Sequence, residues 1–173
     1  MIVSYYIVTA ADLRTVSPYN LILKYADDTY LIIPASNIQS RTAELQNVEQ
    51  WAAANNLKLN RAKTSEIIIT TKGKSKSLQP LPPLLPDIVR VTRLKILGVT
   101  VSDKLSISEH VQHVVSRCAQ SLHALRILRS CGMEDNILQL VFTSVILGRM
   151  TYAINAWWGY ATAADKQRLD AFI

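Results

Sequence analysis

The sequence has few cysteines and no long apolar run, and each scarcity excludes a class of protein. Among 173 residues, Cys118 and Cys131 are the only cysteines, and they form no CxxC pair. This excludes a disulfide framework and is typical of reduced, buried thiols in an intracellular protein. The apolar residues 137–147 fall well short of the ~20 residues that a membrane span needs, so the sequence indicates no membrane partner.

Other features of composition limit the overall organisation. Residues 1–13 contain Asp12 and lack the basic segment and cleavage site of a secretory signal, so no signal is expected. Hydrophobic residues make up 49% and charged residues 18%, which builds a core and excludes a long disordered tail. The length suits one domain or slightly more, so a large multidomain enzyme is not all present.

The positive charge is concentrated in the middle of the chain. The formal net charge is +6, and residues 61–100 carry 8 basic and 2 acidic side chains. The segments on either side are close to neutral. A local basic excess of this kind indicates an anionic partner such as a nucleic acid.

Two adjacent carboxylates lie between two short apolar runs. Residues 21–23 and 29–33 are rich in strand-forming side chains, and Pro34 ends the second run. This pattern predicts a tight β-hairpin with Ala26, Asp27 and Asp28 at its tip. The carboxylates would then be held together on a rigid turn.

The remaining elements follow from periodicity and breakers. A capping box at Ser36 and Gln39 opens a predicted helix of about five turns that ends near Asn55 and Asn56, and a strand follows over residues 66–71. Residues 72–86, rich in lysine and proline, are predicted to form an exposed loop or extended connector. Residues 88–101 form a predicted second hairpin with its turn near Thr92 and Arg93. Helices are predicted over residues 107–129, from 134 or 135 to about 148, and from Thr162 to the last residue.

Paired carboxylates at a hairpin tip suit divalent cations. Mg²⁺ takes a few carboxylate oxygens, keeps some waters and binds substrate phosphates. Two such ions ~3.5 to 4 Å apart activate an attacking hydroxyl and stabilise a leaving oxygen. The alternative is an ordinary surface turn, because Asp is common in turns for backbone reasons alone.

Four ordered motifs identify a family. Tyr25, Ala26, Asp27 and Asp28 resemble the catalytic box of reverse transcriptases, specifically those of non-LTR (LINE-like) retrotransposons. Three later stretches resemble segments that follow the box in that family; they begin at Trp51, at Leu94 and at Ala156 and include Asn55, Asn56, Lys63, Thr64, Lys95, Gly98, Trp157, Trp158, Gly159, Asp165, Arg168 and Leu169.

The resemblance implies an RNA-directed DNA polymerase that extends a DNA primer on an RNA template with deoxynucleoside triphosphates. It implies that Asp27 binds catalytic Mg²⁺ or Mn²⁺, with two ions in the complete enzyme. Asp28 would assist, and Tyr25 would lie close to the primer end. Lys63 would lie near the incoming triphosphate, where a cation offsets the charge of the leaving pyrophosphate.

The resemblance also implies nucleic-acid contacts. Lys95 and Gly98 would shape the grip on the primer backbone. Independently of the resemblance, the charge of the lysine run Lys72, Lys74 and Lys76 suits further phosphate contacts. Each of these roles has a simpler alternative. Lys63 could be a solvated lysine at a strand start, and Gly98 and Lys95 could be a hairpin glycine beside a surface lysine. Lys72, Lys74 and Lys76 could lie in a solvated loop.

The chain departs from the family before Leu21. The family supplies another metal-binding aspartate from an earlier palm strand and a glycine-rich segment with Pro-Gln-Gly ahead of the hairpin, and neither is present before Leu21. Asp12 matches the Asp-Leu that follows that segment and is no replacement. We therefore expect a fragment that lacks the N-terminal fingers and part of the palm of a parent polyprotein, and that does not polymerise alone. A last helix still running at Ile173 would fit a truncated C-terminus.

The expected fold class is α+β. Residues 1–103 would form a partial polymerase palm with a primer-grip-like hairpin, and residues 104–173 a helical thumb or connection region. The alternative function is a noncatalytic nucleic-acid-binding or assembly module derived from such an element, and a decayed element is a third reading. His110, His113, Cys118 and His123 lack the partners of a zinc set, and Trp157 and Trp158 suit a core better than base stacking.

Overall fold

The computed structural model describes residues 12–70 and 81–172, which divide into two compact units. Among these residues the first unit comprises 12–65 and 81–89, and the second comprises 66–70 and 90–172. Both contain helices and strands, so the secondary structure is mixed as expected. The palm and thumb description and the division after residue 103 stay predictions.

The first unit begins with the predicted hairpin, which is confirmed. Strands β1 (Leu21–Tyr25) and β2 (Asp28–Ile32) pair antiparallel in a register that sets Leu21 opposite Ile32 and Tyr25 opposite Asp28. Two residues, Ala26 and Asp27, make the turn between the strands. The strands form because their side chains are β-branched, aromatic or aliphatic, apart from Lys24 and Asp28.

The helix of the first unit starts later than predicted. A 3₁₀ helix occupies Ala35–Ser40, and α1 follows over Arg41–Ala54. The capping box at Ser36 and Gln39 is wrong: Pro34 precedes the 3₁₀ helix without a side-chain cap, and Asn37 breaks the helical geometry. The predicted end is confirmed, because Asn56 takes a φ of 56° and Leu57 N–H donates to Ala52 O at 2.8 Å, closing a Schellman motif.

The strands after α1 differ most from expectation. Strand β3 covers only Ser65–Ile67 and pairs with β4 (Val89–Val91), and the boundaries of the two units fall within these strands. The second hairpin is made by β5 (Arg93–Ile96) and β6 (Val99–Ser102). The predicted turn at Thr92 and Arg93 is therefore wrong, because β4 pairs with β3 and leaves the turn to the next two strands.

The helices of the second unit follow this hairpin. They are α2 (Ser108–Ser130), α3 (Asp135–Val141), α4 (Gly148–Thr151), α5 (Ile154–Trp157) and α6 (Ala163–Asp170), with a π-helical segment Phe142–Leu147 and a 3₁₀ turn Trp158–Tyr160. Gly132, with a φ of 87°, ends α2 in a Schellman motif, as predicted. The last helix begins after Thr162 as predicted, in a capping box with Asp165, but it ends at Asp170.

One face of α2 forms the core of the second unit. Val111, Val114, Cys118 and Leu125 are buried on it at helical spacing. They pack with residues of other elements, namely Val99, Ile107, Ile146, Met150, Trp157 and Leu169. The expectation of two buried thiols is half correct, because Cys118 is buried and Cys131 is exposed.

The apolar helical stretch Asp135–Tyr160 is, by length and composition alone, able to cross a membrane. The structure interrupts it, since Tyr152 is extended and Ala153 takes a φ of 51°. Ile146, Met150 and Trp157 from this stretch lie in the core of the second unit. Packing in this core therefore explains part of the apolar composition of Asp135–Tyr160.

Candidate functional site

The two carboxylates lie at one end of the first hairpin. Asp27 occupies the second position of the turn, and Asp28 is the first residue of β2, directly opposite Tyr25. Ala26 takes a φ of 51°, the left-handed conformation that lets two residues reverse the chain. The predicted placement of the two carboxylates on a tight hairpin turn is confirmed, and the register sets Tyr25 opposite Asp28.

Both carboxylates are accessible. Asp27 and Asp28 are exposed, and Tyr25 is 63% exposed beside them. Asp28 accepts a 3.1 Å hydrogen bond from the Tyr30 hydroxyl. Within residues 12–70 and 81–172 neither carboxylate forms a salt bridge, so no cationic side chain there competes with a metal ion for their oxygens.

The hairpin presents an apolar face next to the carboxylates. Leu21, Leu23 and Ile32 are each about half exposed, at 50%, 47% and 48%. The register puts Leu21 opposite Ile32 and Leu23 opposite Tyr30, so these side chains share one face with Tyr25 and Asp28. The opposite face carries Ile22 and Lys24, which are less exposed.

The hairpin is attached through Lys24 to the segment before it. The Lys24 ammonium donates a 2.7 Å hydrogen bond to the carbonyl oxygen of Leu13. Partial burial lowers the pKa of Lys24, and nearby Arg14 lowers it further while Asp12 opposes them. The lysine beside the box therefore has a structural contact rather than an outward-pointing charge.

Asp12 is the only acidic residue before the box, and it is engaged elsewhere. Its Oδ1 accepts a 2.8 Å hydrogen bond from Nε1 of Trp51 on α1. The geometry gives this aspartate a partner on the helix, and Trp51 gains a contact that the sequence pattern alone did not predict. Asp12 therefore makes no third ligand at the hairpin tip in this arrangement.

Lys63 belongs to the first unit but lies on a separate element. It ends the 3₁₀ turn Arg61–Lys63, which Asn60 caps by accepting from the Lys63 backbone N–H at 3.2 Å. The Lys63 side chain is exposed, and its ammonium has no hydrogen-bond partner among the described residues. The neighbouring Arg61 is held instead by a 2.6 Å salt bridge to Glu49.

The donor set of the hairpin fits a hard cation but is small. Carboxylate oxygens are the ligands that Mg²⁺ and Mn²⁺ prefer. In the described part of the chain no group of three or more His, Cys, Asp or Glu side chains is placed to hold a metal ion. Among the described residues, the carboxylates that the hairpin tip offers are therefore those of Asp27 and Asp28.

The predicted primer-grip residues lie on the second hairpin. Lys95 is an exposed residue of β5, and Gly98 follows Leu97 in the two-residue turn to β6. Leu97 and Gly98 take φ values of 45° and 90°, as a tight hairpin turn requires. The signal that locates this turn is the glycine of the Leu-Gly pair, directly before the β-branched run Val99, Thr100 and Val101.

Tyr152 packs against this turn, a contact that sequence reasoning missed. Its hydroxyl donates a 3.0 Å hydrogen bond to the carbonyl oxygen of Leu97. An added Cβ at Gly98 would lie 3.1 Å from Cε1 of Tyr152. Gly98 is thus required by both its backbone conformation and this close approach.

His110, Trp157 and Trp158 make packing contacts within the second unit. His110 is buried, with its ring edge-on to Trp157 at a centroid distance of 5.4 Å. Trp157 is buried and donates from Nε1 to the Tyr152 carbonyl, whereas Trp158 is partly exposed under the ammonium of Lys166. Lys72, Lys74 and Lys76 lie outside the described residues.

Two curated proteins of Drosophila melanogaster are similar to the chain. The first, a probable RNA-directed DNA polymerase from transposon BS, is 25% identical over 177 residues, which cover 95% of this chain and 19% of that protein. The second, an RNA-directed DNA polymerase from mobile element jockey, is 29% identical over 171 residues, which cover 87% of this chain and 18% of that protein. The chain thus spans about a fifth of their length. No family model and no solved structure matches it.

Proposed function

We propose that this chain, which is similar over most of its length to the RNA-directed DNA polymerases of two mobile elements, forms the C-terminal palm and thumb part of a non-LTR retrotransposon reverse transcriptase. Its reaction would be nucleotidyl transfer from deoxynucleoside triphosphates to a primer 3′ hydroxyl on an RNA template. The activity of the whole polymerase would need the parts of the protein that this chain does not span.

One observation carries the proposal. Asp27 and Asp28 are exposed neighbours at the tip of a two-residue hairpin turn, and among the described residues no cation pairs with them. Two negative charges held this close repel each other, and this repulsion does not help to stabilise a turn. A bound divalent cation would remove that repulsion.

The hairpin would hold the catalytic metal. Asp27 would be the main ligand, and Asp28 would assist. When bound, Mg²⁺ or Mn²⁺ would activate the attacking hydroxyl and offset charge on the leaving group. Tyr25, on the same face as Asp28, would pack near the primer end, and its exposed ring leaves room for that contact.

Lys63 would serve the incoming triphosphate. Its ammonium has no acidic partner in the described part of the chain, in contrast to the nearby Arg61. A free cation of this kind suits a phosphate chain, where it offsets the negative charge that develops on pyrophosphate.

The chain alone should not polymerise. Two ligands at the tip leave the spacing of two ions unfixed, and a misplacement of ~1 Å costs about a hundredfold in rate. Asp12 is bonded to Trp51 and does not complete the set. Incubation with a primed RNA template, deoxynucleoside triphosphates and Mg²⁺ should therefore give no extension.

Metal binding by the chain tests the carboxylate assignment. Titration with Mn²⁺, followed by the loss of the free-ion EPR signal, should reveal weak binding that disappears in Asp27→Asn. Asp170→Asn, which removes an exposed aspartate at the end of α6, is the matched control and should bind Mn²⁺ like the unaltered chain. Equal Mn²⁺ binding by Asp27→Asn and the unaltered chain would refute the assignment.

A further inference from the structure

Residues 81–86 of the first unit form an extended, proline-rich segment. Pro82, Pro83 and Pro86 are half of its residues, and the structure has neither helix nor strand there. Proline fixes φ at about −65° and confines the residue before it to extended conformations. The segment is therefore held close to the polyproline II conformation, an extended helix with three residues per turn.

Exposure along this segment repeats every three residues. Pro82 and Leu85 are partly buried, whereas the other residues of 81–86 are exposed. Because a polyproline II helix has three residues per turn, residues at this spacing share one edge of it. One edge of the segment therefore lies against the first unit, and the other two edges are accessible.

Two arginines hold the segment through its backbone. Arg41 on α1 is buried and donates to the carbonyl oxygen of Pro83. Arg61 donates to the carbonyl oxygen of Pro86 at 3.0 Å, and its guanidinium is fixed by the salt bridge to Glu49. These bonds leave the exposed side chains accessible. A segment that is already held extended loses less conformational entropy when a partner binds it.

The two accessible edges are apolar. Leu81 and Leu84, on one edge, are 62% and 66% exposed. At 3.1 Å per residue they are about 9 Å apart along the helix axis. Pro83 and Pro86 lie on the other edge and form a PxxP motif. None of residues 81–86 carries a charge, so a partner would gain mainly from burying apolar surface.

We propose that residues 81–86 are the ligand of a protein domain that recognises a polyproline II helix in a groove lined by aromatic side chains. Domains of this kind bind PxxP segments that are already extended, which limits the entropy cost of binding. The two leucines and the two prolines of the accessible edges would fill the groove of the partner.

The prolines make the two other common modes of peptide recognition unsuitable. Addition of the segment to the edge of a sheet relies on backbone hydrogen bonds, and Pro82, Pro83 and Pro86 have no N–H to donate. Insertion of an amphipathic helix into a groove needs side chains at helical spacing, whereas the exposure of this segment has a period of three. The proposal does not rest on the proposed function, because Asp27 and Asp28 lie outside the segment.

Calorimetric titration of the whole chain with isolated SH3, WW and EVH1 domains, three classes that bind polyproline II segments, tests the proposal. At least one of these domains should bind. Leu84→Gln should weaken that binding by about tenfold, because an apolar side chain is lost from the groove of the partner. Pro82→Ala should weaken it by about threefold, since the unbound segment gains conformational freedom while both accessible edges keep their side chains.

Leu140→Gln is the matched control. Leu140 is a leucine of α3 in the second unit that is 68% exposed, almost the same as Leu84. The same substitution there should leave the affinity for the domain unchanged. Far-UV circular dichroism checks that each variant folds.

Two results would overturn the proposal. The first is binding by none of the three domains at millimolar concentration, or equal binding by Leu84→Gln and the unaltered chain. The second comes from sedimentation of the chain alone, for which a monomer is expected. A dimer that dissociates in Leu84→Gln but persists in Leu140→Gln would mean that a second copy of the chain covers the leucines.

Discussion

The hydroxyl of Tyr152 donates a 3.0 Å hydrogen bond to the carbonyl oxygen of Leu97. This bond ties the turn of the second hairpin to the chain just after α4, across 55 residues of sequence. Gly98, the next residue of the turn, lies against the Tyr152 ring, because an added Cβ there would be 3.1 Å from Cε1 of Tyr152. The second hairpin and the helices of the second unit are therefore joined at this turn.

Gly98→Ala should destabilise the chain by about 3 kcal/mol. Alanine at a φ of 90° costs ~1 to 2 kcal/mol, and the new Cβ would lie 3.1 Å from the Tyr152 ring, which adds a steric term. Urea unfolding followed by tryptophan fluorescence measures the change.

Gly132→Ala separates the two contributions. Gly132 has a similar φ of 87°, but nothing lies within 4 Å of an added Cβ there. Gly132→Ala should lower the free energy of unfolding by only about 1 kcal/mol. If both variants unfold at the same urea concentration, the close packing of Tyr152 on Gly98 is contradicted.

Glu44 should make stability depend on acid pH. This residue is fully buried, and burial opposes its ionisation, but hydrogen bonds from the backbone N–H groups of Ser17 and Val16 and from the Asn20 amide outweigh burial and lower the pKa of Glu44. Between the lowered pKa and the usual value of 4.5, the unfolded chain binds more protons than the folded chain. The contribution is therefore complete above about pH 4.5 and is lost as the pH falls through the lowered pKa.

The pH dependence is measured as the difference in unfolding free energy between the unaltered chain and Glu44→Gln. We expect about 2 kcal/mol at pH 7, shrinking steadily below pH 4.5. Glu134→Gln, at an exposed carboxylate, is the control and should show almost no difference at either pH. A difference for Glu44→Gln that stays constant from pH 7 to acid would count against the buried network.

The two thiols should differ in reactivity. Burial raises the pKa of Cys118, whereas Cys131 is exposed at the end of α2. Because the thiolate is the reactive form, iodoacetamide should modify Cys131 in the folded chain and leave Cys118 unmodified until urea unfolds the second unit. Mass spectrometry of the peptides locates the label, and prompt labelling of Cys118 would contradict the packing of α2.

The first hairpin was predictable because local signals agree. Alternating strand formers flank Ala26 and Asp27, and the register follows from a two-residue turn. The second hairpin was misplaced because β4 pairs with the distant β3, and no local signal at Thr92 indicates that partner. Capping shows the same contrast, since the box at Thr162 forms while the one at Ser36 gives way to a 3₁₀ helix.

The side chains of interest also differ in whether the sequence predicts their neighbours. The neighbours Asp27 and Asp28 follow from the sequence, because two adjacent residues on a turn need no tertiary structure to meet. Arg149 does not, since its approach to Arg117 depends on how α4 packs on α2. The arginines of α2 share no common stripe in the sequence, and only the packing of a second helix and a hairpin brings Arg117 near Arg149 and Lys95.

Grafting tests the central claim most directly, that the tip of the first hairpin is the carboxylate site of a reverse transcriptase. The chain replaces the matching segment of the jockey RNA-directed DNA polymerase, and incorporation of deoxynucleotides on a primed RNA template is measured. We expect the graft and its Asp170→Asn variant to incorporate deoxynucleotides, and the Asp27→Asn variant to lose this incorporation. Incorporation that persists undiminished in Asp27→Asn would contradict the central claim.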